Sequence, residues 1–230
     1  MKEMLTGSVY FAVVLTLICY QIGAVIKKKT GFALANPLLI AVILVASVIL
    51  SFDLDYEVYK AGNEIILYLL TPATVCLAIP LYRQLEYLKK YPLAIFGGIA
   101  SGVLTTMVSI FLLSLAFGLN HEQYVTLLPK SITVAIAMGV SEKMGGIVSL
   151  TIMSICITGI LGNVIAEWWL KICRIKEPVA KGLAIGTASH ALGTTKAMEM
   201  GAVEGAMSSL SIVVAGIMTV IAVSMFGKFI

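Results

Sequence analysis

The sequence predicts an all-α fold, a polytopic helical membrane protein. Hydrophobic residues make up 60% of the 230 residues and charged residues only 12%, and the mean hydropathy is +1.02. Soluble domains carry about 25% charged residues, so this chain has too few to cover a water-exposed surface. Long apolar runs recur along the chain, and two further segments are apolar but interrupted. We expect about six spans and two re-entrant or broken helices, resembling an inverted-repeat transporter, in a single membrane domain of residues 1–230.

Five apolar runs are long enough to cross a membrane, because a helix needs about 20 residues to cross a hydrocarbon core of about 30 Å. They are residues 9–26, 65–81, 93–117, 147–170 and 206–226. A sixth run, residues 37–50, is shorter and spans only if residues 32–34 and Phe52 extend it. The first run ends in three lysines at 27–29 rather than in a small-residue cleavage site. We therefore interpret it as a retained span with a cytoplasmic C-terminal end, not as a signal peptide.

Basic residues indicate how the two interrupted segments, residues 124–141 and 179–200, cross the bilayer. Lys and Arg accumulate in cytoplasmic loops. If both segments spanned the membrane, the most basic loop of the C-terminal half would face outside. If residues 124–141 enter from outside and return, that loop moves inside, and residues 179–200 then dip in from the cytoplasmic side. We predict this re-entrant arrangement. The basic loop carries Lys171, Arg174, Lys176 and Lys181, and the acidic loop, outside in both cases, carries Asp53, Asp55 and Glu57.

An internal repeat agrees with this topology. Residues 133–139 (TVAIAMG) resemble residues 187–193 (TASHALG) at an offset of 54, which also carries residues 92–117 onto residues 146–171. In the re-entrant arrangement these two spans run in opposite directions, as in the inverted repeats of secondary transporters. A rival match relates residues 74–80 to residues 133–139 at an offset of 59. We expect helical hydrogen bonding to be interrupted in all three segments.

Interrupted helices are candidate binding sites because a break in lipid leaves backbone N–H and C=O groups without partners. A half-helix N-terminus also carries partial positive charge, which suits a carboxylate. We expect glycines and prolines to supply the breaks and hydroxyls to line them; close helix packing is the other use of small residues. The expected breaks are Pro72, Pro80, Gly139, Gly186 and Gly193, and the hydroxyls are Thr74, Thr133, Thr187, Ser189, Thr194 and Thr195.

Four ionisable residues lie in or beside these segments. His190 is either a proton carrier, which its ordinary pKa of about 6.5 allows, or a structural hydrogen-bond donor to a broken-helix carbonyl. Lys130 and Lys196 are the cations nearest apolar depth, and such residues are functional candidates by default; either also has a stem long enough to snorkel to the interface. Glu199 either pairs with Lys196 or caps the last helix.

Several function classes are disfavoured. No G-x-x-x-x-G-K-[ST], H-E-x-x-H or G-x-S-x-G motif occurs, so we expect neither an ATP-driven pump nor an enzyme. Basic residues cluster in loops without interleaved aromatics, so we expect no nucleic-acid binding. No C-x-x-C pair occurs, so we expect no disulfide framework, metal or cofactor, and interpret the cysteines as small core residues. They are Cys19, Cys76, Cys156 and Cys173.

Together these segments resemble the LrgB/CidB family of bacterial membrane proteins over nearly the whole chain. The most specific segment is KGLAIGTASHALGT at residues 181–194, followed by EGAMSS at residues 204–209. The others are NPLL at 36–39, LTPAT at 70–74, AIPLY at 78–82, LPKS at 128–131 and GGI at 145–147. The sequence departs from a common family pattern at Val134 and Ala135.

The resemblance implies a role in the bacterial cytoplasmic membrane. Family members are described as holin- or antiholin-like regulators of murein hydrolases and autolysis, and they act beside a small companion protein of the LrgA/CidA type. Related proteins are linked to the movement of small carboxylates, pyruvate in bacteria and glycolate or glycerate in plastids, where both parts are fused. This sequence lacks the companion segment, so we expect a separate partner, and we expect an oligomer.

We therefore expect a carrier or facilitator of a small monocarboxylate, with the substrate held between the broken segments and its charge offset by Lys130 or Lys196. A holin- or antiholin-like pore or lysis regulator is the alternative, and a scaffold for the partner protein is a third possibility. The candidate substrate-binding residues are Pro72, Thr74, Pro80, Lys130, Thr133, Gly186, Thr187, Ser189, His190, Gly193, Thr194, Lys196 and Glu199.

Overall fold

The computed structural model describes residues 9–31, 35–69, 72, 75–76, 79, 82 and 85–230, and within these ranges the regular structure is entirely helical. The chain divides into two compact units, Met1–Ala73 and Thr74–Ile230. The all-α membrane fold class is therefore confirmed. The assignment of residues 1–230 to one membrane domain stays a prediction.

The first unit contains helices α1 (Val9–Thr30), α2 (Pro37–Ser51), α3 (Tyr56–Gly62) and α4 (Glu64–Tyr68). α1 packs against α2 and α3. The extension at Phe52 that spanning by α2 would require is absent, and residues 32–34 lie outside the described residues. Asn36 caps its N-terminus, with Oδ1 accepting from Leu38 N at 2.9 Å, and Pro37 occupies the first turn, where a missing N–H costs nothing. Phe52 caps the other end, leaving a helix of 15 residues.

The second unit holds the rest of the described helices. They are α5 (Leu85–Lys90), α6 (Pro92–Phe117), α7 (His121–Leu127), α8 (Val134–Lys143), α9 (Val148–Ile172), α10 (Pro178–Met200) and α11 (Ala202–Phe226). In the described part of the chain, four helices are long and apolar enough to cross a membrane: Tyr10–Thr30, Pro92–Phe117, Val148–Ile172 and Ala202–Phe226. Four predicted spans are thus confirmed. The predicted span at 65–81 lies partly outside the described residues.

The segment of α10 is a helical hairpin, which we call the C-terminal hairpin. Its helical backbone breaks at His190, where φ is 42° and ψ is −140°. In the half before the break, Gly182 lies against Glu204 and Gly186 lies against Ser208. These contacts advance along α11 in the same direction, so the first half of α10 runs parallel to α11.

After the break the order of contacts reverses. Thr194 Oγ1 is 2.7 Å from Ser208 Oγ, whereas Met198, further along, packs against Gly205 at the start of α11. The second half therefore returns towards the end where α10 began. A cavity of about 500 Å³ at this end has walls from the C-terminus of α9, both ends of α10 and the start of α11. Its lining residues are Glu167, Leu170, Lys171, Arg174, Ile175, Lys176, Lys181, Met200 and Glu204. We call this the basic end.

Helices α7 and α8 form a second hairpin, the N-terminal hairpin, against the other half of α9. Thr126 Oγ1 in α7 accepts from Ile147 N at 2.8 Å, and Ile132 beyond α7 joins a buried apolar cluster with Ile155. α8 then returns, because Ala137 joins the same cluster and later residues contact earlier turns of α9. The return contact joins Ser141 Oγ to Thr151 Oγ1 at 2.7 Å.

The two hairpins enter from opposite ends of the unit. The N-terminal hairpin begins beside the C-terminus of α11, where Tyr124 O–H donates to Phe226 O at 2.9 Å. The C-terminal hairpin begins and ends at the basic end. α6 starts at the basic end, because Tyr91 and Glu177 line one groove, and α9 runs the opposite way. α6 with the N-terminal hairpin and α9 with the C-terminal hairpin therefore run in opposite directions, as the predicted inverted repeat requires; re-entry of the hairpins into a membrane stays a prediction.

Candidate functional site

The centre of the C-terminal hairpin is built around His190. This side chain is buried, with 3% of its surface exposed, and its Nε2 lies 3.1 Å from the carbonyl oxygen of Ile155 in α9. Because a carbonyl only accepts, Nε2 carries the hydrogen, and in the neutral ring Nδ1 is the acceptor. The structure thus shows the structural hydrogen bond, one of the two roles considered for this histidine, with an α9 carbonyl as acceptor.

The glycines do not break the helices, so this part of the prediction is wrong. Gly186 and Gly193 lie within α10 and Gly139 lies within α8. Gly186 and Gly193 allow close packing instead: a methyl group on Gly186 would overlap Ser208 and Ser211, and one on Gly193 would press on Ser189, whereas one on Gly139 would meet no atom within 4 Å. Small residues at such positions let backbones approach closely.

One face of α9 packs directly against the broken segment of α10. Gly162 leaves the space that the Ser189 side chain occupies, and Gly159 does the same for Leu192 and His190. One turn further, Asn163 Nδ2 donates to the carbonyl oxygen of Leu192 at 2.8 Å. A broken helix exposes such carbonyls, and a buried amide is a suitable partner for one of them.

Hydroxyl groups join the returning half of the hairpin to α11 and to the break. Thr194 Oγ1 donates to the carbonyl oxygen of His190 at 2.9 Å and lies beside Ser208 Oγ. Asn163 Nδ2 also donates to Thr195 Oγ1 at 2.9 Å. Polar side chains therefore compensate much of the backbone polarity that the break releases.

Lys196 is held in an ion-pair network. Its Nζ lies 2.7 Å from Glu167 Oε1 of α9 and 3.2 Å from Glu199 Oε2, with 21% of its side-chain surface exposed. The pairing of Glu199 with Lys196 was one of the two predicted alternatives, and it is present. Two carboxylates already face this ammonium group, so its charge is compensated within the protein.

The break in the N-terminal hairpin lies between α7 and α8, at residues 128–133. Pro129 has no N–H to continue the helix, and α8 begins only after Thr133. The hydroxyl of Thr133 makes no capping bond, and its buried Oγ1 has no hydrogen-bond partner in the described part of the chain. Lys130 Nζ donates to Ser131 Oγ at 3.3 Å.

The two breaks meet at Ile155. Its carbonyl oxygen contacts His190 of one hairpin, and its side chain packs in one cluster with Ile132 and Ala137 of the other. Ile132 and His190, 58 residues apart in sequence, thus share one centre, reached by hairpins from opposite ends.

The other sequence candidates divide into three groups. Ser189 and Thr187 lie in the first half of α10, immediately before the break. Pro72 is helical and exposed. Thr74 and Pro80 lie outside the described residues, as does part of the rival repeat.

Sequence reasoning missed the partners that α9 and α11 contribute. They are Ile155, Gly159, Gly162, Asn163, Glu167 and Ser208. The α9 members lie at 155, 159, 162, 163 and 167, which is the i, i+4, i+7, i+8, i+12 spacing of one helix face and is visible in the sequence. Where the structure describes the chain, no three His, Cys, Asp or Glu side chains come together as metal ligands would.

Comparison with known proteins agrees with this architecture. The profile of the LrgB-like family matches residues 16–229. This chain belongs to the LrgB family. It is 38% identical over 226 residues to the antiholin-like protein LrgB of Bacillus cereus strain B4264 and, equally, to that of Bacillus anthracis strain A0248, with 98% of both chains covered in each case. No solved structure matches it. This LrgB-family chain is thus a multi-pass membrane protein with antiholin-like relatives.

Proposed function

We propose that this LrgB-family chain is a carrier or facilitator of a small monocarboxylate such as pyruvate or glycolate. The observation that carries the proposal is the meeting of two opposed hairpin breaks at Ile155. A carrier needs an interior site that opens to each side in turn, and inverted repeats with broken helices near the midplane provide one. A simple pore needs neither broken helix.

The chemistry at the N-terminal break suits a carboxylate. The first N–H groups of α8 have no partner within the helix and carry partial positive charge. Thr133 adds a buried hydroxyl without a partner among the described residues, and Lys130 adds a full positive charge in the turn before α8. We assign charge compensation to Lys130 rather than to Lys196, because Glu167 and Glu199 already neutralise Lys196.

The remaining expectations belong to the same proposal. The chain works without catalytic chemistry, in the bacterial cytoplasmic membrane, as an oligomer beside a small LrgA/CidA-type protein. Control of murein hydrolases and autolysis then follows from carboxylate flux. These points rest on the family resemblance and on the bilayer-spanning composition of the helices.

Uptake into liposomes tests the proposal. The chain is reconstituted with and without its partner, and labelled pyruvate and glycolate uptake is measured against concentration. We expect saturable uptake, reduced at least about tenfold by Lys130→Met, since a hydrogen bond to a charged group contributes about 1.5–3 kcal/mol. Lys143→Met is the matched control, because Lys143 is an exposed lysine at the far end of α8.

Two results would contradict this proposal, the first its carrier function and the second only the role of Lys130. Uptake that rises linearly with concentration, together with leakage of larger unrelated solutes, would indicate a pore. Equal uptake by the Lys130→Met and Lys143→Met proteins would remove Lys130 from the site while leaving transport itself in place.

An antiholin-like regulator is the second candidate, favoured by the relatives described as antiholin-like proteins. In that case the chain would act on lysis through assembly rather than through flux. A deletion strain complemented with Lys130→Met distinguishes the two. Restored control of autolysis by a transport-deficient variant would favour the regulator, and parallel loss of both activities would favour the carrier.

A further inference from the structure

A groove of about 840 Å³ runs between α6 and the first half of α10. Tyr91 and Glu177 lie at its mouth, at the basic end of the unit. Its inner end reaches Thr187 and Ala188, two to three residues before the break at His190. The groove thus leads from the basic end to the tip of the C-terminal hairpin.

Hydroxyl groups line the inner part of this groove. Ser101 Oγ donates to Gly98 O at 2.8 Å, and Thr105 Oγ1 donates to Ser101 O at 2.7 Å, so both keep lone pairs but no free hydrogen. Thr187 is different. Only 7% of its surface is exposed, and its Oγ1 has no hydrogen-bond partner among the described residues.

A buried hydroxyl without a partner destabilises the folded state, so a ligand that accepts its hydrogen is the simplest reason to retain it. Where the structure describes the chain, buried side chains of this kind occur at Ser114, Thr133 and Thr187. Two of these three are the threonines that the 54-residue repeat makes equivalent. Their recurrence at matching positions points to a shared ligand rather than to two independent packing defects.

We infer that the α6–α10 groove is the binding site through which a small carboxylate passes between the basic end and the hairpin tips, with the Thr187 hydroxyl donating to it. Thr133 is the corresponding hydroxyl of the N-terminal hairpin. This inference rests on the proposed function. It adds the path that the carboxylate takes to the hairpin tips and identifies α6 as one side of that path. The mouth carries one unfavourable charge, Glu177, and one cation, since Lys90 Nζ lies 5.3 Å from the Tyr91 ring centroid.

Two adjacent glycines of α6 provide a matched test. A side-chain carbon on Gly97 or on Gly98 meets no atom within 4 Å, so both tolerate substitution, but only Gly98 lines the groove. Gly98→Cys and Gly97→Cys are made in a background in which the four native cysteines are replaced by serine or alanine. Each protein is reconstituted, treated with a charged methanethiosulfonate reagent and assayed for pyruvate and glycolate uptake.

We expect labelling to abolish uptake by the Gly98→Cys protein and to leave the Gly97→Cys protein unchanged. Pyruvate or glycolate should also slow the labelling of Gly98→Cys several-fold and have no effect at Gly97→Cys. Full uptake by labelled Gly98→Cys would overturn the groove while leaving the carrier intact. If even the unmodified chain shows no uptake, the carrier proposal fails. In that case, slower labelling of Gly98→Cys in the presence of carboxylate would still support carboxylate binding in the groove. An unchanged labelling rate would overturn both the carrier and the groove.

Substitution of the hydroxyl tests its role separately from the shape of the groove. Thr187→Val keeps the shape and removes the donor, whereas Thr187→Ser keeps the donor. We expect KM for the carboxylate to rise about tenfold in Thr187→Val, as for a lost hydrogen bond to a charged group, and to return towards the original value in Thr187→Ser. An unchanged KM in Thr187→Val, with the protein folded, would remove this hydroxyl from the route.

Discussion

The two hairpins are related by the repeat, yet α10 and α8 pack against different neighbours. The hairpins bury similar numbers of residues: ten in α10, and nine between residues 124 and 141 of the N-terminal hairpin. α10 packs against α6, α9 and α11, while α8 packs mainly against α9. Equivalent sequence position therefore gives similar burial against different neighbours.

Equivalent glycines show the same contrast. A methyl group on Gly193 would press on Ser189 and Ile185, but one on Gly139, its repeat partner, would meet nothing within 4 Å. Close backbone contacts with α11 fix α10, whereas the buried Ala137 and hydroxyl contacts hold α8, the returning half of the N-terminal hairpin, to α9. The entering half is anchored in the main apolar core by Tyr124, Val125 and Leu128. We expect α8 to open more readily than α10, because local opening is easiest where few apolar contacts are lost.

The largest effect that would test this comparison is expected at Gly186. In Gly186→Ala the added methyl group overlaps the Ser208 carbonyl oxygen and the Ser211 hydroxyl, so α10 and α11 must separate. Overpacking of this kind costs about 1–3 kcal/mol or more. We expect a clear fall in the midpoint of thermal unfolding in detergent.

Gly139→Ala is the control for this substitution. It makes the same chemical change in the N-terminal hairpin, where the new methyl group has open space, and alanine is favoured over glycine inside a helix. Its unfolding midpoint should stay the same or rise. Equal destabilisation by the two variants would show that the hairpins are packed alike.

A smaller effect is expected in the hydroxyl network of the N-terminal hairpin. Thr151 Oγ1 lies 2.7 Å from Ser141 Oγ and 3.0 Å from Thr126 O. Thr151→Val keeps the volume but leaves Ser141 without this partner, which costs about 1–3 kcal/mol for a buried group. We expect faster proteolysis between α7 and α9 and a lower unfolding midpoint.

Thr105→Val is the matched control for this network, because Thr105 is exposed on α6 and bonds only to a carbonyl of its own helix. It should change the unfolding midpoint little. If Thr151→Val changed the unfolding midpoint equally little, the hydroxyl contacts would not be what holds α8 against α9.

Much of this architecture could be predicted from the sequence because it depends on local composition. Apolar runs gave four of the spans, since length and hydropathy alone decide whether a helix can cross lipid. Loop charge and the 54-residue repeat together predicted two opposed hairpins. Each of these signals is readable within a few dozen residues.

What could not be predicted depends on contacts distant in sequence. The sequence predicted helix breaks at Gly186 and Gly193, because glycine is locally the residue most compatible with a break. In the structure the break lies at His190, and the two glycines make room for α11 and for Ser189. The groove was missed because its α6 wall has the composition of an ordinary span.

The ion pair of Lys196 also could not be predicted from local sequence, and its substitution should have the smallest effect on stability. Its partner Glu167 lies 29 residues earlier in an apolar helix, and the pair joins the returning half of the C-terminal hairpin to α9. Because about half of the Glu167 side chain is exposed, the pair should contribute only about 0.2–1 kcal/mol. A double-mutant cycle of Lys196→Glu and Glu167→Lys, followed by thermal unfolding, measures this coupling. Each single reversal places like charges together and should lower the midpoint slightly, and the double variant should recover part of the loss, since the new carboxylate at position 196 still faces Glu199. If the two losses simply added, the hairpin would be held at the break alone, by His190, Asn163 and Thr194, and the ion pair would be a surface feature without structural consequence.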